Sequence, residues 1–252
     1  MKTVKIREIT IGTGRPKICV PIVGKTEEEI LQEARKIPQS TADLAEWRAD
    51  WYEETDDWGK AESVLQQLRE ILGEIPLLFT FRSAAEGGER EISAEAYQNL
   101  NQKAAESGLA DLIDVEAYFQ DGIAEELIRR IHACGGKVIA SNHDFAKTPD
   151  EEEIRKRLRH MQEIGADIGK IAVMPQTPKD VLELLCATEQ VTAADETTIP
   201  VVTMSMGRMG AFSRISGELT GSAMTFGALG KTSAPGQPEA GRLKEVLELL
   251  RF

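Results

Sequence analysis

The 252-residue sequence has few cysteines, few aromatic residues and no long apolar run. Its three cysteines, Cys19, Cys134 and Cys186, are an odd number at wide spacings, a pattern that does not indicate a disulfide framework. No stretch approaches the roughly 18 apolar residues of a membrane-spanning helix, and the opening MKTVKIREIT lacks the apolar core of a secretion signal. These absences predict a cytoplasmic protein with no membrane partner.

Positive charge is also scarce. The chain has 30 Lys and Arg residues against 42 Asp and Glu residues, and its formal net charge is −12. Because the phosphate backbone of a nucleic acid attracts basic surfaces, this balance predicts no nucleic-acid partner. Aromatic residues make up only 5% of the chain, and no stripe of alternating basic and aromatic residues indicates a nucleic-acid-binding surface.

The usual metal and nucleotide motifs are missing as well. The sequence has no HxH, HExxH or CxxC spacing, which predicts no metal site, and no GxGxxG for a dinucleotide. The stretch GALGKT at 227–232 ends like a phosphate-binding loop. However, Thr225 occupies the position of the required first glycine, and SAPGQP follows where a helix should begin. We therefore predict no nucleotide site.

What the sequence does contain is a regular series of short apolar segments separated by helical patterns. The predicted strands cover residues 18–23, 43–48, 76–82, 112–116, 137–142, 168–173, 200–204 and 222–226. Eight strand–helix units in about 250 residues are typical of a (β/α)8 TIM barrel, here a single domain over 1–252. Val4–Ile6 and Ile9–Ile11 form a predicted short β-hairpin that closes the barrel floor. A doubly wound open sheet is the structural competitor, and Pro21 is unexpected inside the first strand because it lacks an N–H.

Three helix starts are predicted from capping patterns. Each has a threonine followed three residues later by an acidic residue: Thr26 with Glu29, Thr148 with Glu151, and Thr177 with Asp180. Proline follows the threonine in the second and third cases, which is typical of the first helical position.

Side-chain alternation along the strands predicts which residues point into the barrel. Apolar partners such as Phe79, Ile113 and Ile171 suit the outer face, toward the helices. The inward positions then become charged toward the carboxyl ends of the strands, at Glu46, Arg48, Arg82, Asp114, Glu116 and Lys170. Active sites of this fold lie at that end. The alternative is an ion-pair network with a purely structural role.

Lys170 and His143 are the strongest candidates for catalytic residues. Desolvation in an apolar strand, with Arg48 and Arg82 nearby, would favour the neutral amine of Lys170, which can form an imine with a ketone or an aldehyde. Equally, Glu116 or Asp114 could neutralise Lys170 for structural reasons. His143 lies at the end of the fifth strand, where an imidazole can move protons near neutral pH, although a lone histidine is more often structural.

Two loops have alternative interpretations. The segment 227–238 is rich in small and turn-forming residues, so it is either a lid that closes over a ligand or a plain connector. The segment EGGE at 86–89 is either a hinged loop with a catalytic carboxylate or a simple turn.

Several strings together resemble one enzyme family. EWRAD (46–50), PLLFTFRSAAEGGE (76–89), SNHDFAKTP (141–149), KIAVMPQT (170–177), FSRISGELTGSAMTFGA (212–228) and SAPGQ (233–237) resemble type I 3-dehydroquinate dehydratase, in the same order and over nearly the whole chain. The resemblance implies a (β/α)8 barrel, usually a homodimer, that acts on 3-dehydroquinate. It implies dehydration to 3-dehydroshikimate, the third step of the shikimate pathway of aromatic amino-acid biosynthesis, without a metal or a dissociable cofactor.

The resemblance also implies roles for individual residues. Lys170 would form the imine, His143 would act as the general acid–base residue, and Glu86 would support His143. Substrate contacts would come from Glu46, Arg48, Arg82, Arg214, Ser233 and Gln237, with Met204 and Met206 packed around the bound ring. Pro21 departs from members that offer a serine hydroxyl to the ligand at this position, so no hydroxyl contact is expected there.

Two other functions remain open at this point. Another Schiff-base barrel, such as a class I aldolase, would share the lysine, although no phosphate-binding glycine loop is apparent. A non-catalytic ligand-binding barrel would form no covalent adduct at all.

Overall fold

The computed structural model describes residues 2–120, 122–194 and 196–251. The strands are β1 (Val4–Ile6), β2 (Ile9–Ile11), β3 (Lys17–Ile22), β4 (Leu44–Arg48), β5 (Leu77–Thr80), β6 (Leu112–Glu116), β7 (Val138–Asp144), β8 (Ile168–Val173), β9 (Val201–Ser205) and β10 (Met224–Phe226). The helices are α1 (Glu27–Ala34), α2 (Trp58–Leu72), α3 (Ala94–Glu106), α4 (Ile123–Ala133), α5 (Glu151–Glu163), α6 (Pro178–Ala193), α7 (Gly217–Thr220) and α8 (Ala240–Leu249).

Strands β3 to β10 form a parallel sheet that curls into a nearly closed barrel. The strand order within the described residues is β10-β3-β4-β5-β6-β7-β8-β9, so each strand lies beside the next one in the sequence. A single bridge between Val201 and Ser222 connects the two ends of the sheet. This sequential parallel order with intervening helices confirms the predicted (β/α)8 architecture and excludes the doubly wound sheet.

The barrel has two concentric apolar layers. The outer layer, between strands and helices, contains Trp47, Phe79 and Ile171 together with the buried faces of the helices. The inner layer fills the barrel from the floor with Leu44, Leu78, Leu112, Ile139 and Ile168. The predicted alternation of side chains is therefore correct, since odd and even positions of each strand separate into these two layers.

The antiparallel pair β1 and β2 completes the floor. Val4 pairs with Ile11 and Ile6 with Ile9, and Val4, Ile6 and Ile11 pack against the inner layer. The hairpin thus closes the floor of the barrel, as the sequence predicts. The charged residues lie at the opposite end, at the carboxyl termini of the strands.

Two of the three predicted helix starts are correct. The side chain of Thr26 caps α1, and Thr177 forms a capping box with Asp180 at the start of α6. The prediction at Thr148 is wrong: α5 begins at Glu151, and its cap is Asp150, whose carboxylate accepts a hydrogen bond from the Glu153 N–H at 2.8 Å. Thr148 instead donates its hydroxyl proton to the Met174 carbonyl. Asp150 competes successfully because a carboxylate is a strong acceptor at a helix N-terminus.

Pro21 lies within β3, paired with Glu46 of β4. On the other side, the pairing of β3 with β10 ends at Cys19 and Phe226, two residues before Pro21. A proline is tolerated there because the ladder no longer continues on that side. Among the helices formed by the described residues, none is long and apolar enough to cross a membrane.

Candidate active site

A cavity opens at the carboxyl ends of the strands. Ten of the eleven predicted site residues line it: Glu46, Arg48, Arg82, Glu86, His143, Lys170, Met204, Met206, Ser233 and Gln237. The eleventh, Arg214, lies directly behind this lining, where its Nη1 is 3.8 Å from the sulfur of Met204. These ten residues come from strands β4, β7, β8 and β9 and from the segments that follow β5, β9 and β10, and they meet at one place.

Lys170 projects from β8 into the barrel mouth and is only 4% exposed. Its Nζ is 3.8 Å from Glu46 Oε1 and 3.7 Å from Asp114 Oδ2, beyond ordinary hydrogen-bond distance. The amine also lies 4.5 Å from the centre of the Phe226 ring. Lys170 is thus buried among two carboxylates and an aromatic face without a close partner that would block access to its nitrogen from the cavity.

His143 and Glu86 form a hydrogen-bonded pair beside the cavity. His143 Nδ1 is 2.9 Å from Glu86 Oε2, and the His143 backbone N–H donates to the same oxygen at 2.9 Å. Glu86 comes from a short 3-10 helix, Ala84–Glu86, which follows β5. With one ring nitrogen bound to Glu86, the imidazole has a fixed orientation, and its other nitrogen remains for a ligand.

Burial shifts the proton affinities of this pair in opposite directions. It raises the pKa of Glu86 to about 8, against the opposing charge of Arg82. Burial also lowers the pKa of His143 well below its usual value, and the charges of Arg82, Lys170 and Arg48 lower it further. At neutral pH the pair therefore favours a protonated Glu86 beside a neutral imidazole over a carboxylate beside an imidazolium.

Arg82 is the centre of a buried ion-pair network. Its guanidinium contacts Asp114 at 2.7 Å, Glu116 at 3.0 Å and Glu86 at 3.5 Å, and it donates to Ser141 Oγ at 3.0 Å. Burial acts to raise the pKa of Asp114, but nearby Arg82 and Lys170 lower it overall. The structural network considered from the sequence is thus present. Because the network includes Glu86, the partner of His143, and Asp114, a neighbour of Lys170, it also holds the wall of the cavity in place.

Arg48 connects β4 to the loop 227–238. It makes a two-point contact with Asp50, with 2.7 Å for each pair of atoms, and donates Nη1 to the Ser233 carbonyl at 3.0 Å. Within the loop, the Ser233 N–H donates to Gln237 Oε1 at 2.9 Å. Ser233, Ala234 and Gln237 of this loop line the cavity, which favours the interpretation of the segment as a lid.

Arg214 carries a buried charge without an acidic partner among the described residues. It is 1% exposed, and its Nη2 donates to the Pro235 carbonyl at 3.0 Å while Nε has no acceptor. Burial lowers its pKa to about 10, so the side chain is still charged at neutral pH. A desolvated cation of this kind is suited to an anionic group of a ligand.

Several residues of the site were not predicted from the sequence. Asp50 fixes Arg48, Asn142 donates to Glu86 at 2.9 Å, and Phe226 and Phe145 contribute aromatic surface to the cavity. Asn142 was missed because strict alternation points it outward, whereas Glu86 reaches it from the loop after β5. Asp50 was detectable in principle, since it lies two residues after an inward arginine.

Among the described residues, no group of three or more His, Cys, Asp or Glu side chains is arranged to hold a metal ion. The polar side chains that line the cavity carry one amine, one imidazole, carboxylates, guanidinium groups, two hydroxyls and one amide. This set can attack a carbonyl, move a proton and bind an anion.

Comparison with known proteins gives a consistent result. A family model described as type I 3-dehydroquinase matches residues 18–251. A 3-dehydroquinate dehydratase from Bacillus licheniformis is 52% identical over 251 residues, which cover 99% of this chain and 98% of the relative. A relative of the same name from Clostridioides difficile is 50% identical over 251 residues, with 99% and 97% coverage.

Solved structures agree with these sequences. The type I 3-dehydroquinate dehydratase of Clostridium difficile, described with covalently modified comenic acid, has a TM-score of 0.95 and 49% identity, covering 99% of this chain and 97% of that one. The 3-dehydroquinate dehydratase of Geobacillus kaustophilus has a TM-score of 0.94 and 40% identity, with 99% and 96% coverage. These matches confirm the resemblance noted in the sequence: the chain belongs to the type I 3-dehydroquinase family.

Proposed function

We propose that this protein dehydrates 3-dehydroquinate to 3-dehydroshikimate through a Schiff base on Lys170, as the third step of the shikimate pathway. The observation that carries the proposal is the cavity in which the Lys170 amine meets the His143–Glu86 pair. Arg214, which has no acidic partner among the described residues, lies directly behind the lining of this cavity. A ring that carries both a ketone and a carboxylate fits this combination. The family membership of the chain supports the same substrate.

Lys170 starts the reaction. Its neutral amine attacks the ketone carbon, the resulting carbinolamine loses water, and a protonated imine remains. Glu46 and Asp114, each just under 4 Å from Nζ, stabilise the positive charge of this imine. The covalently modified comenic acid named for the Clostridium difficile relative supports a nucleophile in that protein.

His143 moves the protons. The free ring nitrogen takes a proton from the carbon between the imine and the departing hydroxyl, and the electron pair enters the imine to give an enamine. The enamine then expels the hydroxyl, to which His143 returns the proton, so that water leaves. Glu86, bound to Nδ1, keeps the imidazole in place and stabilises its charged form. Hydrolysis of the conjugated imine by water releases the product and restores Lys170.

The remaining residues bind the ring. We assign Arg214 to the substrate carboxylate, with Glu46, Arg48, Arg82, Ser233 and Gln237 around the hydroxyl groups. Met204 and Met206, both buried, pack against the apolar faces of the ring. Fixing the ring in this way brings the ketone to Lys170 and so lowers the entropic part of the barrier.

Borohydride trapping tests the proposal. The protein is incubated with 3-dehydroquinate and sodium borohydride, and the adduct is located by peptide mass mapping. We expect an adduct on Lys170 and a rise in absorbance from the conjugated product without borohydride. Lys170→Ala abolishes both while the fold survives, and Lys137→Ala, a half-exposed lysine outside the barrel mouth, serves as the matched control. Normal turnover by Lys170→Ala would overturn the imine mechanism.

The same experiment separates the alternative functions. An adduct that forms only with sugar phosphates would indicate a class I aldolase. Binding of 3-dehydroquinate without any adduct or product would indicate a ligand-binding barrel. Either outcome would contradict the dehydratase proposal.

We further propose that the chain acts as a single catalytic domain and as a homodimer in the cytoplasm. Exposed apolar side chains on neighbouring elements support a self-association surface: Phe212 and Leu219 are 56% and 65% exposed. Light scattering coupled to size exclusion measures the mass, and a value of one chain at micromolar concentration would contradict the dimer.

A further inference from the structure

Glu86 has a second hydrogen-bond partner besides His143. Asn142 Nδ2 donates to Glu86 Oε1 at 2.9 Å, whereas the backbone N–H and the ring of His143 both contact Oε2. Each carboxylate oxygen therefore has its own donor, which fixes the plane of the carboxylate as well as its distance from the imidazole.

The orientation of the Asn142 amide depends on Arg157. Arg157 Nη1 donates to Asn142 Oδ1 at 2.9 Å. A guanidinium group only donates hydrogen bonds, so the amide oxygen of Asn142 must face Arg157 and its NH2 group must face Glu86. A flipped amide would place an oxygen against a carboxylate and a donor against a cation.

Arg157 is itself anchored on helix α5. Its Nε donates to Glu153 Oε1 at 2.8 Å, one turn earlier, and its guanidinium lies 6.0 Å from the centre of the Tyr118 ring. The side chain is 19% exposed, so it lies at the outer edge of the barrel and not in the reaction cavity. A continuous series of hydrogen bonds thus joins the helix layer to the imidazole.

We propose that Asn142, oriented by Arg157, is a positioning residue that sets when the Glu86–His143 pair releases its proton. Neither side chain touches the reacting atoms; both act through Glu86. The inference rests on the proposed function for its consequences in catalysis, but the titration of His143 can be measured without substrate.

The direction of the effect follows from the charges that face Glu86. Burial raises its pKa, Glu116 and Asp114 of β6 act in the same direction, and Arg82 at the end of β5 opposes them. The hydrogen bond from Asn142 also lowers the pKa of Glu86. Tyr118 faces the pair from the loop after β6 and is uncharged at neutral pH, because a phenol titrates near about 10 and burial raises the pKa of Tyr118 further, to about 12. Loss of Asn142 therefore leaves Glu86 protonated to higher pH.

Two variants and one control test the inference. Asn142→Ala removes the donor, Arg157→Gln removes the group that orients it, and Arg159→Gln serves as the control. Arg159 lies on the same helix and pairs with Glu152 and Glu196, with no connection to Asn142. The first measurement is an NMR titration of the His143 ring with 15N-labelled histidine, which is practicable because the chain has three histidines.

We expect the transition of the His143–Glu86 pair to move to higher pH by about 0.5–1 unit in Asn142→Ala and by less in Arg157→Gln. Turnover at pH 7 falls by about tenfold to a hundredfold in Asn142→Ala, the usual effect of one hydrogen bond to a charged group. The KM for 3-dehydroquinate and the yield of the Lys170 adduct stay unchanged, because neither residue contacts the ring. Arg157→Lys, which keeps a cationic donor, restores part of the loss.

A purely structural role predicts something different. If Asn142→Ala and Arg157→Gln lower the melting temperature but keep the wild-type titration of His143, the inference is wrong. Arg157→Gln keeps this result informative even if Asn142→Ala fails to fold, since Arg157 lies at the edge of the barrel. Absence of a Lys170 adduct in the wild-type protein would overturn the proposed function instead, and the NMR titration would still decide about Asn142.

Discussion

Two buried arginines at the barrel mouth carry the same charge in opposite surroundings. Arg48 is neutralised by the two-point contact with Asp50, whereas Arg214 contacts the Pro235 carbonyl and the Met204 sulfur and has no carboxylate partner among the described residues. A buried charge without a counter-ion destabilises the folded state, and breaking a buried pair by removing one partner does the same. The two residues should therefore respond oppositely to neutralisation.

We predict that Arg214→Met raises the free energy of unfolding by about 1–3 kcal/mol and abolishes binding of 3-dehydroquinate. Arg48→Met, the matched control, lowers the free energy of unfolding by about 3–5 kcal/mol because Asp50 stays buried and unpaired. Urea denaturation gives both energies, and calorimetric titration with the substrate gives the affinity. A loss of stability in Arg214→Met would contradict the cost assigned to its charge.

Glu86 makes a pH-dependent contribution to stability. Its pKa is about 8 in the folded protein, whereas a carboxyl of an unfolded chain titrates near about 4.3. Between these values the folded state binds more protons than the unfolded state, so the contribution of Glu86 to stability decreases as the pH rises from about 4.3 to about 8.

Glu86→Gln removes this dependence. At each pH, the unfolding free energy of the variant is compared with that of wild type. This difference should shift by about 1–3 kcal/mol in favour of the variant from pH 5 to pH 8. Denaturant titrations at the two pH values measure this change. Glu89→Gln, an exposed carboxyl three residues away, is the control. An equal trend in wild type and Glu86→Gln would show that Glu86 does not titrate in this range.

At the scale of elements, the loop 227–238 depends on one close backbone approach. Gly236 has a φ of +78°, and a Cβ there would lie 2.4 Å from the Gly207 carbonyl oxygen. Next to it, the Gly207 N–H donates to the Pro235 carbonyl at 3.1 Å. Only glycine permits this contact, so the position fixes how the loop packs over the cavity.

Gly236→Ala should therefore displace the loop while the barrel remains folded. We expect the KM for 3-dehydroquinate to rise by about tenfold or more, with a melting temperature close to that of wild type. Thr232→Ala, an exposed change in the same loop, should leave both quantities unchanged. Steady-state kinetics and thermal denaturation provide the comparison, and a wild-type KM in Gly236→Ala would show that the loop does not take part in binding.

The elements themselves were largely predictable, because strand alternation and helix capping are local properties. The inward series Glu46, Asp114 and Lys170 follows from the period of two along each strand. The start of α5 was placed at the wrong capping residue because Thr148 and Asp150 both offer acceptors, and only the packed structure decides between them. The Asn142–Glu86 bond was not predictable, because it joins a strand to a loop whose path the sequence does not specify.

At the scale of the whole molecule, stability and chemistry occupy opposite ends of the barrel. The floor is closed by β1 and β2 with apolar side chains, and the mouth contains the charged groups. The inner layer separates the two regions. A change at the floor should therefore affect the folding equilibrium without altering the site.

Ile11→Ala tests this separation. Ile11 is fully buried in the inner layer, so its truncation should cost about 2–4 kcal/mol of unfolding free energy and leave kcat and KM at their wild-type values. Ile9→Ala, at a half-buried position of the same strand, should cost less. A large change in KM for Ile11→Ala would mean that the floor and the mouth are mechanically coupled.

The loop 227–238 contacts both site arginines through main-chain oxygens: Ser233 for Arg48 and Pro235 for Arg214. Every residue type carries a carbonyl group, so these contacts survive most changes of side chain in the loop. The loop sequence can therefore diversify, by evolution or in a mutant library, while its electrostatic attachment persists. The positions to hold constant in such a library are Gly236, whose backbone conformation is demanding, and Ser233 and Gln237, whose side chains line the cavity.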